Sequence, residues 1–235
     1  ALPILRAPSK IDADEINRLR EIAPDLIFSF YYRAMIPKEV LDIPKLGAYN
    51  IHGALLPKYR GRACINWAVI NGEKETGATL HVMTESADRG DIIAQKAVPI
   101  EFEDTAHDVF LKVTEAAREI LMSSLPSLEN GTAKRYPQDE SKATKFGRRR
   151  PEDGEIDWNK SAEEIYNLVR ALTHPFPGAF TYWDCKKYFI WKALPAEGTF
   201  EPGKIRSESP MLVGTGRGLL RILRIQPEGE PERDA

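Results

Sequence analysis

The stretch Asn50-Ile51-His52-Gly53-Ala54-Leu55-Leu56-Pro57-Lys58-Tyr59-Arg60-Gly61-Arg62 decides the reading of this chain. Leu46 to His52, at its start, reads as a strand. Side chains alternate along a strand, so Asn50 and His52 share one face while Tyr49 and Ile51 share the other. Gly53 follows at once, which puts the polar pair at the strand's carboxyl end, where open α/β sheets bind ligands. An Asn or a His at a strand end also serves as hydrogen-bonded structure, so the local pattern leaves catalysis and structure both open.

Working outward, the elements alternate. Asp12 and Glu15 have capping-box spacing, and Ile16, Leu19 and Ile22 line one helical face; Pro24 ends that helix. Leu2 to Leu5 and Leu26 to Tyr32 read as strands, the second as a buried one. Ala63 to Ile70 reads as a helix stopped near Gly72, and Thr76 to Met83 and Ile92 to Val98 as strands around a polar turn. Thr105 to Ser123 reads as a long amphipathic helix with Val109, Phe110, Val113, Ile120 and Leu121 inward. This order implies an α/β sheet with some parallel pairing.

From Gly131 to Pro151 apolar periodicity vanishes and charge dominates, as in a surface linker. A helix follows at Ser161 to Leu172, with Ser161 and Glu164 as its capping box. Ala179–Trp183, Lys187–Trp191, Met211–Val213 and Leu219–Ile225 read as short strands separated by turns, as in a small β-barrel or sandwich, with a polar, frayed tail from Gln226. The expected division is therefore 1–137, a linker at 138–150, and 151–235.

Composition narrows the function classes. Hydrophobic residues make up 42% of the 235 and charged residues 29%, and no apolar run approaches the ~18 residues that span a bilayer. No signal peptide is visible at Ala1 to Arg6, so a cytoplasmic protein is expected. The two cysteines, Cys64 and Cys185, lack Cys-x-x-Cys spacing; two reduced, partly buried thiols are expected, with no metal. The net charge of −2 lacks the basic excess of a chain that grips a polyanion.

A second signal is Ser86-Ala87-Asp88-Arg89-Gly90-Asp91, a turn between two strands, in which Asp and Gly are also ordinary turn formers. Taken in order, Asn50-x-His52-x-x-Leu55-Leu56-Pro57-x-x-Arg60-Gly61, Gly77-x-Thr79 and Asp88-x-Gly90 resemble the formyltransferase superfamily that uses 10-formyltetrahydrofolate. The resemblance runs from about Leu2 to the Gln226-Pro227 region. It implies a Rossmann-like α/β formyltransferase domain followed by a small OB-like β-barrel domain. Family members begin with a strand, helix and strand that have no counterpart here, so the chain enters at the third strand.

The resemblance implies Asn50, His52 and Asp88 as the catalytic group. An amine attacks the formyl carbon; Asn50 and protonated His52 donate hydrogen bonds to the oxyanion, and Asp88 favours the imidazolium and helps take the amine's proton. His52 is also a candidate acid for the departing folate nitrogen. Ala34, Met35 and Ile36, together with Thr84, Glu85, Ser86, Ala87 and Asp88, match segments that embrace the pterin, and Arg62 matches a position that reaches the donor. For Arg60 and Arg62 a solvated basic turn is the competing reading. His81, His107 and His174 read as structural, and Trp67, Trp158, Trp183 and Trp191 as packing.

The acceptor is approached through finer resemblance. Phe28-Ser29-Phe30-Tyr31-Tyr32-Arg33, Lys58 to Ala63, Asn66-Trp67 and Phe146-Gly147-Arg148-Arg149 look like the UDP-4-amino-4-deoxy-L-arabinose type, which formylates a nucleotide-linked amino sugar. Gly154-x-Ile156-Asp157-Trp158 is equally at home in methionyl-tRNA formyltransferases. From Pro151 onward 11 Lys and Arg stand against 14 Asp and Glu, a balance of −3 that disfavours tRNA. An inactive folate-binding module or fragment is the alternative of another class.

Overall fold

A computed structural model of the chain describes residues 11–235; the strand expected at Leu2 to Leu5 lies outside them. In chain order the elements run α1 (Ala13–Ile22), β1 (Ile27–Phe30), α2 (Lys38–Leu41), β2 (Ala48–His52), β3 (Arg60–Gly61), α3 (Cys64–Ile70), β4 (Glu75–Val82), β5 (Ile92–Pro99), α4 (Ala106–Glu129), β6 (Lys145–Phe146) and α5 (Ala162–Leu172). Six strands complete the chain: β7 (Ala179–Trp183), β8 (Lys186–Ala196), β9 (Ile205–Glu208), β10 (Met211–Gly214), β11 (Leu219–Pro227) and β12 (Arg233–Asp234). They form two compact units. Of the described residues, the first comprises 11–61, Gly77–Val98 and Val113–Phe146; the second comprises Arg62–Thr76, Pro99–Lys112 and Gly147–Ala235. No helix among the described residues is long and apolar enough to cross a membrane.

In the first unit α1 starts with the expected capping box: the Asp12 carboxylate accepts from the Glu15 amide at 3.0 Å, and Glu15 accepts from the Asp12 amide at 3.1 Å. It ends at Ala23, in the left-handed region immediately before Pro24. The sheet order is β1-β2-β4-β5. β1 and β2 are parallel, while β2 and β4 are antiparallel with Asn50 opposite His81 and His52 opposite Thr79. One face carries buried Tyr49, Ile51, Ala78 and Leu80, and the other carries Asn50, His52, Thr79 and His81. Among the described residues β1 lies at an end of this sheet, with Phe30 exposed.

Helix α4 runs past Ser123 to Glu129, through Pro126. Val109, Val113 and Ile120 are buried as expected, whereas Phe110 and Leu121 are only half-buried. Within 138–150, expected to be a surface linker, a 3-10 turn forms at Glu140–Lys142 and β6 pairs in parallel with β3, Lys145 beside Arg60 and Phe146 beside Gly61. Charged composition signals exposure; it does not exclude pairing through the backbone.

In the second unit α5 is capped as expected by Ser161 and Glu164, and buries Ile165, Val169 and Leu172 at helical spacing. The sheet runs β7-β8-β11-β10-β9, with β12 added to β11. Ile190, Val213, Leu220 and Ile222 form its core with α5. Two strands, β9 and β12, were not visible as hydrophobic runs. The tail expected to fray is pinned: the Ala235 amide donates to Leu223 at 3.2 Å, and Arg224 pairs with Glu232 and Asp234.

One glycine of the decisive stretch is required by shape. Gly61 has φ of 102°, and a Cβ there would lie 2.2 Å from the Phe146 carbonyl oxygen. Gly61→Ala is expected to lower stability by about 2 kcal/mol or more. Gly147→Ala, whose Cβ would meet open space, is expected to leave it within about 0.5 kcal/mol. Urea unfolding of the two variants checks the contrast.

Candidate active site

Asn50 and His52 project from the last three residues of β2, and Asp88 from the turn between β4 and β5. Asp88 holds φ of 58°, in the left-handed region that Asp tolerates better than most side chains. Gly90 makes this turn possible, since a Cβ there would lie 1.9 Å from the Val82 carbonyl oxygen. His52 and Asp88 meet directly, and Asn50 reaches Asp88 through His81. His52 Nδ1 is 3.5 Å from Asp88 Oδ1, with both side chains largely buried, and Asp88 Oδ2 accepts from the Gly61 amide at 2.8 Å.

The other nitrogen of His52, Nε2, lies 2.8 Å from the Tyr59 carbonyl oxygen, which can only accept, so Nε2 carries a proton. Both ring nitrogens thus face acceptors, and the doubly protonated ring satisfies both. Tyr59 itself is held by its amide, which donates to Thr144 Oγ1 at 2.8 Å, and by stacking on Phe146 at 4.8 Å between centroids.

His81 joins the group. Its Nε2 lies 3.1 Å from Asn50 Nδ2 and 3.7 Å from Asp88 Oδ1, and its Nδ1 lies 2.9 Å from the Val82 carbonyl oxygen. Burial pushes this imidazole down to about 4; His52 and Arg60 reinforce that, and the bond to Val82 and the charge of Asp88 oppose it. His81 is therefore neutral at pH 7. His81, expected to be structural, lies beside Asn50 and Asp88 on the polar face. A signal existed: Gly77, Thr79 and His81 alternate with Ala78, Leu80 and Val82, so β4 has a polar face that can only oppose that of β2.

Thr79 explains the Gly77-x-Thr79 motif. Its hydroxyl donates to the Ala54 carbonyl at 2.6 Å and accepts from the Leu56 amide at 3.1 Å and from Gln95 Nε2 at 2.8 Å. These bonds hold the turn that follows Gly53.

Arg60 is no solvated turn residue, being 3% exposed. It donates to Gln138 Oε1 from Nε and Nη2 at 3.2 and 2.6 Å, and to Glu140 from Nη1 and Nη2 at 2.9 and 2.6 Å. The Glu140 carboxyl is held below its usual range by these bonds. Gln138 Nε2 in turn donates to the carbonyls of Asp88 and Gly90 at 2.9 and 2.8 Å. Nothing in the charged run around Gln138 announced this role.

Of the expected donor-binding residues, Met35, Arg62, Thr84, Glu85, Ser86 and Ala87 are exposed, and Ala34 and Ile36 half-buried. Thr84 and Ser86, just before Asp88, bond to each other: the Thr84 hydroxyl donates to the Ser86 carbonyl at 2.9 Å and accepts from the Ser86 amide at 3.3 Å. His107 stacks on Phe110 and His174 on Trp191, consistent with packing. Cys64 is buried but Cys185 is exposed. Among the described residues no group of three or more His, Cys, Asp or Glu could hold a metal ion.

Residues 4–125 match the formyl transferase family, and residues 148–235 match the formyl transferase C-terminal domain. The chain belongs to the formyl transferase family. Its fold resembles that of a variant of HypX from Aquifex aeolicus, 25% identical, with a TM-score of 0.71 over 93% of this chain and 40% of that one. It also resembles a sugar N-formyltransferase from Shewanella sp. FDAARGOS_354, 26% identical, with a TM-score of 0.66 over 76% of this chain and 72% of that one. The N-formyltransferase from Helicobacter canadensis, solved with folinic acid and dTDP-3-aminofucose, shares the fold at 22% identity, with a TM-score of 0.70 over 89% and 77% of the two chains. The chain thus spans about two fifths of HypX and most of the sugar enzymes.

In this formyl transferase family member, His81 couples the site to stability. Its folded-state value is depressed below the unfolded 6.5, so the unfolded chain binds the extra proton first. The contribution is whole above about pH 6.5 and is lost as pH falls toward about 4. Urea unfolding between pH 7 and 4.5 should show stability falling, with a shallower slope in His81→Gln, which has nothing to titrate there. Equal slopes would contradict the assignment.

Proposed function

We propose that this chain transfers a formyl group from 10-formyltetrahydrofolate to the amine of a nucleotide-linked amino sugar, with UDP-4-amino-4-deoxy-L-arabinose the specific candidate. The observation that carries the proposal is the convergence of Asn50, His52 and Asp88 within a formyl transferase fold. The substrate amine, unprotonated, attacks the formyl carbon, and negative charge develops on the formyl oxygen. One N–H of Asn50 Nδ2 is engaged by His81, and the second is left to meet that oxygen. The His52 imidazolium supplies positive charge beside it. A direct bond from His52 Nε2 would require it to leave the Tyr59 carbonyl. Asp88, an acceptor 3.5 Å from His52 Nδ1, takes the proton that the amine loses. His52 is the candidate acid for the departing folate nitrogen.

The donor is proposed to lie along Ala34, Met35 and Ile36 and the Thr84–Asp88 turn, with Arg62 reaching it; no metal is required by this chemistry. The amino sugar is supported by the 26% likeness to a sugar N-formyltransferase and by the acidic balance of residues 151–235. A nucleotide sugar presents one pyrophosphate, whereas tRNA needs several Lys or Arg contacts that replace counterions.

Offering 10-formyltetrahydrofolate with a panel of amines, and identifying the product by mass, tests the reading. A formylated UDP-linked 4-amino sugar is expected. Formyl-methionyl-tRNA as the main product would overturn the acceptor, and donor binding without turnover would favour the inactive module. Asn50→Ala should cost ~10²–10³ in kcat, the usual loss for one oxyanion donor. His52→Ala and Asp88→Ala should abolish turnover while most donor binding persists.

A further inference from the structure

We propose that His81 is a positioning residue for this reaction: its unprotonated Nε2 accepts a hydrogen bond from Asn50 and so fixes which end of the Asn50 amide faces the reacting oxygen. The inference deepens the formyl-transfer reading and rests on it.

An Asn amide has a donor end and an acceptor end, interchanged by a half-turn about its last bond. Only the donor end can stabilise an oxyanion, so something must choose. His81 Nδ1 lies 2.9 Å from the Val82 carbonyl oxygen, which offers only lone pairs, so Nδ1 bears a hydrogen. The ring is 2% exposed, and it holds a single proton at neutral pH because burial, His52 and Arg60 all oppose a second. That proton being on Nδ1, Nε2 is a bare acceptor. At 3.1 Å from it, Asn50 must present Nδ2; the turned amide would set its oxygen against a lone pair. The tautomer of one buried ring thereby orients the side chain directly opposite it on the neighbouring strand.

Neutrality matters for Asp88 as well. Asp88 Oδ1 is 3.7 Å from His81 Nε2, and a proton there would draw the carboxylate toward His81 and release Asn50. With Nε2 bare, Asp88 has the Gly61 amide and His52 Nδ1 as its partners instead. Asp88, His52 and Arg60 are the charged or titratable groups that act on this ring.

The test uses the full chain with two substitutions. In His81→Gln the side-chain oxygen can take the place of Nε2 as acceptor, whereas His81→Leu fills the space with no acceptor. His81→Leu is expected to lose about 10²-fold in kcat, the order of one misdirected oxyanion donor, with KM for 10-formyltetrahydrofolate within about twofold. His81→Gln should recover at least about tenfold of that loss. Nitrogen-15 NMR of the unsubstituted chain should show the Nδ1–H tautomer of His81 at pH 7, and His81→Leu should shift the side-chain amide signals of Asn50. An Nε2–H tautomer, wild-type kcat in His81→Leu, or a folded His81→Gln as slow as His81→Leu would each overturn the proposal. The NMR signals need no turnover, so they decide the contact even where absence of formyl transfer in the unsubstituted chain would sink the broader reading.

Discussion

A buried guanidinium holds this site together. Arg60 sits almost wholly out of water, where an unpaired charge is costly, and its donors are met by Gln138 and Glu140. To reach it, residues 138–146 must return to the decisive stretch, where β6 pairs with β3 and Thr144 binds the Tyr59 amide. Once they do, three independent bonds reach the centre: the Tyr59 carbonyl to His52, the Gly61 amide to Asp88, and the Gln138 amide to the Asp88 turn. The segments that orient the three candidate catalytic side chains are tied together through Arg60.

Two histidines less than 4 Å from the same carboxylate oxygen are set to different tasks by their surroundings. His52 has an acceptor at each ring nitrogen, an arrangement suited to the charged form. His81 has an acceptor at Nδ1 and a donor at Nε2, which suits the neutral form, and burial presses it further that way. The same side chain thus meets acceptors at both ring nitrogens in one position and an acceptor and a donor in the other. Such divergence between neighbouring titratable groups is a mark of functional sites.

The family match and the compact units divide the chain differently. Formyl transferase similarity covers 4–125 and 148–235, leaving out the segment that carries Gln138, Glu140, Thr144 and β6. That segment is where the clamp on the site lies.

Much was legible from the chain itself. The capping boxes at Asp12 and Ser161 are local, since the groups that bond are three residues apart and need no tertiary partner. Alternation placed Asn50 and His52 on one face, and the ordered Asn, His and Asp with their glycines pointed to formyl transfer. Composition could not show that Arg60 is buried, that Gln138 reaches Asp88, or that Arg233 and Asp234 pair with β11, because polar side chains and backbone pairing leave no hydrophobic period. His81 lies between these cases. Its alternation with Ala78, Leu80 and Val82 was visible, but its role depends on strand register, which alone sets it opposite Asn50, and on burial, which alone keeps it neutral. The sequence determined which chemistry-bearing residues are present and on which faces; tertiary structure decided their protonation and partners, because both depend on contacts between segments far apart along the chain.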